Sequence, residues 1–211
     1  MNDNLTLSSL PLFPLGTVLF PKGLLPLRIF ELRYLDMMGK CHKAGAPFGV
    51  VSLTQGQEVR RPGEPLEAFS QVGTLATISE FERPQPGLML VRCRGQQRFR
   101  IHRSERLKNG LWLADVERIS DDPPVVVPEE LQGVAWALRQ VLNSLQSRQA
   151  ADEAMPAARP YEFDDCGWVA NRWCELLPLP LSIRQRLMEL DNPLVRLELM
   201  DDFLTRAGIQ H

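Results

Sequence analysis

The sequence predicts an α+β protein: a β-rich front carrying one helix, read as a pseudo-barrel or twisted sheet, followed by a helical bundle. Three observations carry this. Leu10 to Tyr34 reads LPLFPLGTVLFPKGLLPLRIFELRY, an apolar stretch interrupted by Pro11, Pro14, Pro21 and Pro26. Proline locks its own φ and donates nothing to a ladder, so this stretch excludes a helix and implies short, edge-type strands joined by bends. Further on, Met89, Val91 and Cys93 alternate with Leu90, Arg92 and Arg94, and Phe99 and Ile101 with Arg98, Arg100 and His102. Period two of this kind describes antiparallel strands with one wet face. Beyond DDPPVVVP (Asp121 to Pro128) the apolar residues recur at helical steps instead.

The elements follow in order. The opening stretch reads as strand, bend, strand, bend, strand and helix. From Glu31, the pattern places Leu32, Leu35, Met38 and Cys41 near one helix face, and Gly45 supplies a stop. FGVVSLTQG is a strand, the turn-rich QEVRRPGEPLEAFSQ a polar loop, and VGTLATISEFE a strand again. The next segment is expected to break at Gly95 and at Asn109-Gly110. The joint divides the chain into a domain of residues 1–122 and a helical subdomain of 123–211. In the latter, Leu131, Val134, Leu138, Val141, Leu142 and Leu145 form one stripe behind Glu129 and Glu130, and 147–160 reads as a mobile connection. Asp164 and Asp165 start a helix carrying Cys166, Val169, Ala170, Trp173 and Leu177 on one face. Ser182 with Gln185 reads as a capping box, and Asn192-Pro193 opens a last helix through Leu194, Leu197, Met200 and Leu204 to Gly208.

Composition narrows the function. A chain of 211 residues buries roughly 70% of its unfolded surface, enough for a core without staples. Cys41, Cys93, Cys166 and Cys174 lack C-x-x-C spacing, MNDNLTLSSL has no signal-peptide pattern, and no apolar run is long enough for a membrane helix. A soluble, cytoplasmic protein with reduced thiols is the expectation. Residues 1–118 carry 16 Lys and Arg against 11 Asp and Glu, while 119–211 carry 8 against 15, so the front is basic and the back acidic.

Catalytic patterns are missing. There is no phosphate loop, no G-x-G-x-x-G, no G-x-S-x-G elbow and no H-E-x-x-H. His42, His102 and the terminal His211 read as packed or solvated, and adjacent Cys41 and His42 point about 100° apart on a helix, a poor metal pair. Of the acidic pairs Asp121-Asp122, Glu129-Glu130, Asp164-Asp165 and Asp201-Asp202, three lie at a linker or helix start, where caps and dipoles account for them. No catalytic residue, cofactor or metal is assigned.

Two features admit a binding role. Arg92, Arg94, Arg98, Arg100, Arg103, Arg106 and Lys108, opposed by Glu105, give net +6 over seventeen residues. Such a face tracks phosphates or is simply the wet side of a hairpin, and Phe99, the aromatic that would stack a base, falls on the inward parity. Trp136 and Trp168 each lie opposite the apolar stripe of their helices, so either the helix is buried on two sides or an apolar groove takes an extended or unfolded peptide.

The blocks LPLFPLGTVLFPKGLLPLRIFELRY, FGVV, VGTLATI, GQQRFRI and DNPLVRLELM, spread from Leu10 to Leu204, resemble the Lon protease N-terminal, or substrate-binding, domain. Two departures are Lys22, where the family commonly has glycine, and Leu32, where proline is usual. The resemblance implies a free-standing member without ATPase or peptidase modules: a PUA-like pseudo-barrel followed by helices, which recognises unfolded or exposed apolar segments and catalyses nothing. The front and back are expected to form the apolar surface together, with Trp136 and Trp168 as its contacts. The Arg28, Glu31, Arg33 and Tyr34 cluster is expected to tie the opening helix to the sheet. The implied partners are an unfolded polypeptide or client protein, with room for a separate protease or chaperone served as an adaptor, and no membrane. An RNA-binding module using Arg92, Arg94, Arg98 and Arg100 is the alternative, ranked below polypeptide.

Overall fold

The computed structural model describes residues 6–58, 66–148 and 157–209. Two compact units divide the chain, Met1–Asp121 and Asp122–His211. The first contains strands β1 (Thr6–Leu15), β2 (Leu24–Ile29), β3 (Phe48–Gln55), β4 (Ala68–Phe69), β5 (Val72–Gln85), β6 (Leu88–Arg106) and β7 (Trp112–Arg118), with helix α1 (Leu32–Ala44) between β2 and β3. The proline-rich stretch therefore makes two strands rather than three. Pro11 and Pro14 sit within β1 and Pro26 within β2, and residues 16–23 are a connecting segment.

Strand β1 pairs antiparallel with β7 and parallel with β3, and the path β1-β7-β6-β5-β3 returns to β1. Strand β2 lies off this ring, antiparallel to the first half of β6, with Leu24 opposite Arg94 and Ile29 opposite Met89. The ring separates two apolar clusters. Leu12, Val51, Leu75, Phe99 and Val116, one from each ring strand, fill the ring interior. Phe13, Phe48, Val50, Val91 and Cys93 point the other way and pack against Tyr34, Met37, Met38 and Cys41 of α1. Residues 10–15 of β1, with Pro11 only half-buried, and residues 48–52 of β3 are thus covered on both faces.

Helix α1 ends as its sequence requires: Gly45 takes φ 60 and donates to His42 O, while Ala46 N–H reaches Cys41 O. Its buried face differs from the expected one. Leu32 is 84% exposed, and the face toward the sheet consists of Tyr34, Met37, Met38 and Cys41, with Leu35 at its margin. The bulkier aromatic and thioether side chains fill the space beneath the helix, which rotates Leu32 outward.

No break occurs at Gly95. Strand β6 runs through it unbroken for 19 residues, and the turn falls only at 107–111. Gly95 serves a different purpose: its N–H donates to Gly23 O, its carbonyl accepts from Lys22 N–H, and a Cβ there would collide with the carbonyl oxygen of Phe20. The 16–23 segment crosses β6 at this point, and only glycine leaves room for it.

In the second unit a 3-10 turn (Glu129–Leu131) leads into α2 (Gln132–Arg148), followed by α3 (Cys166–Leu176), α4 (Leu181–Glu189) and α5 (Pro193–Arg206). The expected mobile connection lies largely outside the described residues, as does His211. Asp165 caps α3 by accepting the Trp168 N–H at 2.7 Å, and Asn192 caps α5 by accepting from Leu194 and Val195, with Pro193 in the first turn. The Ser182 capping box does not form: α4 begins earlier, at Leu181 behind Pro180, which places Ser182 inside the helix. Helix α3 packs against α2, α4 and α5, and every residue from Cys166 to Cys174 is buried. Arg196, 1% exposed, ties the unit together through Asp122 (2.6 Å), Asn171 (2.9 Å), the Leu187 carbonyl (2.9 Å) and the Leu190 carbonyl.

Candidate functional site

Of the four residues in the expected signature cluster, three converge. Arg33 leaves the first turn of α1 and is buried, donating to Gly110 O at 2.8 Å, to Glu67 Oε1 at 3.2 Å and to Glu31 Oε2 at 3.2 Å. Its guanidinium lies 4.5 Å from the centre of the Tyr34 ring, which in turn packs against Phe13 of β1. Glu67 also accepts the Trp112 indole N–H at 3.1 Å. Burial opposes ionisation of Glu67, but hydrogen bonds from its own backbone, Trp112 and Arg33 outweigh it and hold the carboxyl below its ordinary value. Burial pushes the Tyr34 hydroxyl well above the usual tyrosine range. Arg28 is exposed on β2, away from this network. Glu67 and Trp112 complete the tie between helix, loop and hairpin. Sequence reasoning missed both, because neither belongs to a local pattern.

The same turn of chain exposes apolar surface. Phe30, just after β2, is 55% exposed, and Leu32 opens α1 with almost no cover. One helical turn later Leu35 lines a cleft of about 430 Å³ together with Pro84, Pro86, Leu88 and Met89 of the β5–β6 hairpin. Since Met89 is the register partner of Ile29, Phe30 and Leu32 lie at the same end of the unit as this cleft. No sequence pattern singles out this surface, because Leu32 matches the expected core spacing and Phe30 falls where the strand pattern gives way to the helical one.

The arginine run does not form one face. Between Thr74/Arg98 and Ala76/Gly95 the register of β5 against β6 shifts by one residue, a bulge on β6. One extra residue inverts every side chain beyond it. Before the bulge Met89, Val91 and Cys93 face α1; after it Phe99 and Ile101 face the ring interior. Arg92 and Arg94 therefore lie on the opposite face from Arg98 and Arg100. Arg98 is only 4% exposed, beside Thr74, whose hydroxyl donates to Leu19 O of the covering 16–23 segment. Neighbouring acids also engage two members of the run: Glu80 meets Arg92 at 3.2 Å and Asp115 meets Arg103 at 3.6 Å. A single phosphate-tracking strip is not built.

The two tryptophans part company. Trp136 is 60% exposed on α2, opposite the apolar stripe, as the spacing predicts. Trp168 is 3% exposed, because α3 is enclosed on several sides and Tyr161 and Phe163 pack their rings against the indole. Trp168 is therefore a core residue and not the ligand contact that its spacing suggests.

Groups that sequence reading set aside are accounted for by packing. His42 stacks on Phe81 at 4.1 Å, Asp122 serves Arg196, Asp165 caps α3 and Asp202 meets Arg206. All four cysteines are buried with free thiols, and burial drives Cys93 and Cys174 up to about 12 and Cys166 up to about 11, so none is an activated nucleophile. Among the described residues no group of His, Cys, Asp and Glu has a metal-holding arrangement, and no helix is long and apolar enough to cross a membrane.

A sheet-rich first unit followed by a helical second unit, with exposed apolar surface at one end of the first, defines a mixed α and β protein built around a ring of strands. Residues 9–206 match the family model of the ATP-dependent protease La (LON) substrate-binding domain, and the chain belongs to that family. It is similar over 92% of its length to a crystal structure of a Lon N-terminal domain protein from Xanthomonas campestris, with 32% identity, 97% of that chain covered and a TM-score of 0.66. The N-terminal domain of a Mycobacterium avium complex Lon protease shares the fold at 17% identity, with 93% of this chain and 98% of that one covered and a TM-score of 0.55. No curated protein sequence matches the chain. The matched region occupies nearly all of the 211 residues and leaves no room among them for an ATPase or peptidase module.

Proposed function

We propose that this chain is a non-catalytic polypeptide-recognition domain that binds unfolded or exposed apolar segments, serving as an adaptor to a separate protease or chaperone. Family membership supports the recognition role. The observation that carries the site is the uncovered apolar end of the first unit, where Phe30 and Leu32 stand exposed beside the cleft lined by Leu35, Pro86 and Leu88. Large apolar side chains clustered in this way on a domain surface mark interaction sites. Trp136 adds a second apolar contact on the helical unit. The strand ring belongs to the PUA-like pseudo-barrels in this reading, supported by the return of the pairing path to β1.

An array of peptides tiling unfolded proteins tests the proposal. Bound peptides are expected to be enriched in aromatic and aliphatic residues, and Phe30→Ser with Leu32→Ser should weaken a selected peptide by about tenfold or more, the loss of part of two buried apolar side chains. Indifference to apolar content would overturn the reading. Hydrolysis of ATP or cleavage of casein by the purified chain would overturn its non-catalytic part.

A further inference from the structure

We infer that the face of the β2–β6 pair turned away from α1 selects extended segments in which two acidic residues, four positions apart, flank an apolar one. This rests on the polypeptide-binding reading and specifies the chemistry of the segment. Along β2 the inward residues Leu25, Leu27 and Ile29 pack on the α1-side core, so Pro26 and Arg28 occupy the opposite face, and Phe30 continues their parity. The facing residues of β6 are Leu90, Arg92 and Arg94, by the register Arg28↔Leu90, Pro26↔Arg92 and Leu24↔Arg94. The bulge makes this face possible: it separates Arg92 and Arg94 from the buried Arg98 and sets them beside β2.

The charges are unequal in their freedom. Arg92 is engaged by Glu80. Arg28 and Arg94 make no ion pair with any described residue, and β6 is the one described strand that pairs with β2. Four strand positions separate Arg28 from Leu24, the partner of Arg94, about 13 Å along the strand. An extended ligand repeats that spacing between residues i and i+4, which also share one face. Its residue i+2 then lies over Pro26 and the alkyl stem of Arg92, with Phe30 as the apolar continuation. On the β5 side Glu80 and Glu82 are the register partners of Arg92 and Leu90, so Arg28, Arg92 and Arg94 leave the face with a small positive excess. The unpaired Arg28 and Arg94, interleaved with apolar side chains, fit an acidic and apolar polypeptide. A basic segment would meet like charges at both ends.

Fluorescence anisotropy with three labelled 13-residue peptides tests this, each with the same apolar centre and with Glu, Gln or Lys at positions i and i+4. In low salt the Glu peptide is expected to bind about three- to tenfold tighter than the Gln peptide, and the Lys peptide weakest. The Glu advantage should vanish at high ionic strength, as for exposed charges. Arg28→Glu with Arg94→Glu should reverse the order of the Glu and Lys peptides; if that variant does not fold, the wild-type series alone decides. Equal binding of all three peptides would sink the charge selection while leaving polypeptide recognition intact, and no binding by any would sink both. Displacement of the Glu peptide by a single-stranded RNA of equal length at equal concentration would assign the face to nucleic acid and overturn the inference.

Discussion

Arg33 shows how one buried charge organises the turn that carries the candidate surface. Its guanidinium is held by Glu31, Glu67 and a carbonyl, and Glu67 is held in turn by Trp112. Removing one partner of a buried ion pair strands the other charge in a poor solvent. Glu67→Ala is expected to cost about 3 kcal/mol in urea unfolding. Glu67 has a depressed carboxyl in the folded state, so its stabilisation is present in full above about pH 5 and lost as pH falls through the folded value. The gap between wild type and Glu67→Ala should therefore narrow in acid, and a gap that is constant from pH 7 to pH 3 would contradict the assignment. At this scale the sequence was partly legible. Glu31, Arg33 and Tyr34 could be grouped because they are neighbours along the chain. Glu67 and Trp112 could not, being 34 and 45 residues from the groups they meet.

At the scale of the element, the caps that combine a side-chain acceptor with a favourable first turn were readable, as at Asp165 and Asn192-Pro193. Ser182 misled because Pro180 already starts α4. The long strand β6 is the instructive case. Strict alternation read from Leu88 to Arg106 merges two faces into one, since a bulge leaves no sign in period two except the glycine beside it. Gly95 reads as a break by its letter and is a crossing point for the 16–23 segment. Gly95→Ala should destabilise the fold by about 2 kcal/mol, the usual cost of forcing a methyl into a filled site. A neutral effect on thermal unfolding would show that the crossing is looser than described. In the helical unit, Arg196→Lys should fail to restore the stability lost in Arg196→Ala, because a lysine has one point donor where two carbonyls, a carboxylate and an amide converge on a planar fork.

Across the whole molecule, fold class and family were legible, since proline spacing, alternation and helical stripes each report local geometry that the chain keeps. Ring closure was not: the parallel pairing of β1 with β3 joins segments separated by α1 and has no local signature. The candidate surface was also hidden. An exposed Leu32 and a buried one have the same letter, and the rotation of α1 that exposes it follows from the bulk of Tyr34, Met37 and Met38 beneath the helix. Trp136 and Trp168 were equivalent by spacing alone, and only the enclosure of α3 separates them. The proposed function has the chain hold other polypeptides at the end of its first unit. Hydrogen–deuterium exchange of the full chain, with and without a saturating, reduced and carboxymethylated unfolded protein, tests this most directly. The account predicts slowed exchange at residues 24–35 and 83–94, with any further protection falling on α2 around Trp136. Unchanged exchange there, with or without protection elsewhere, would contradict it.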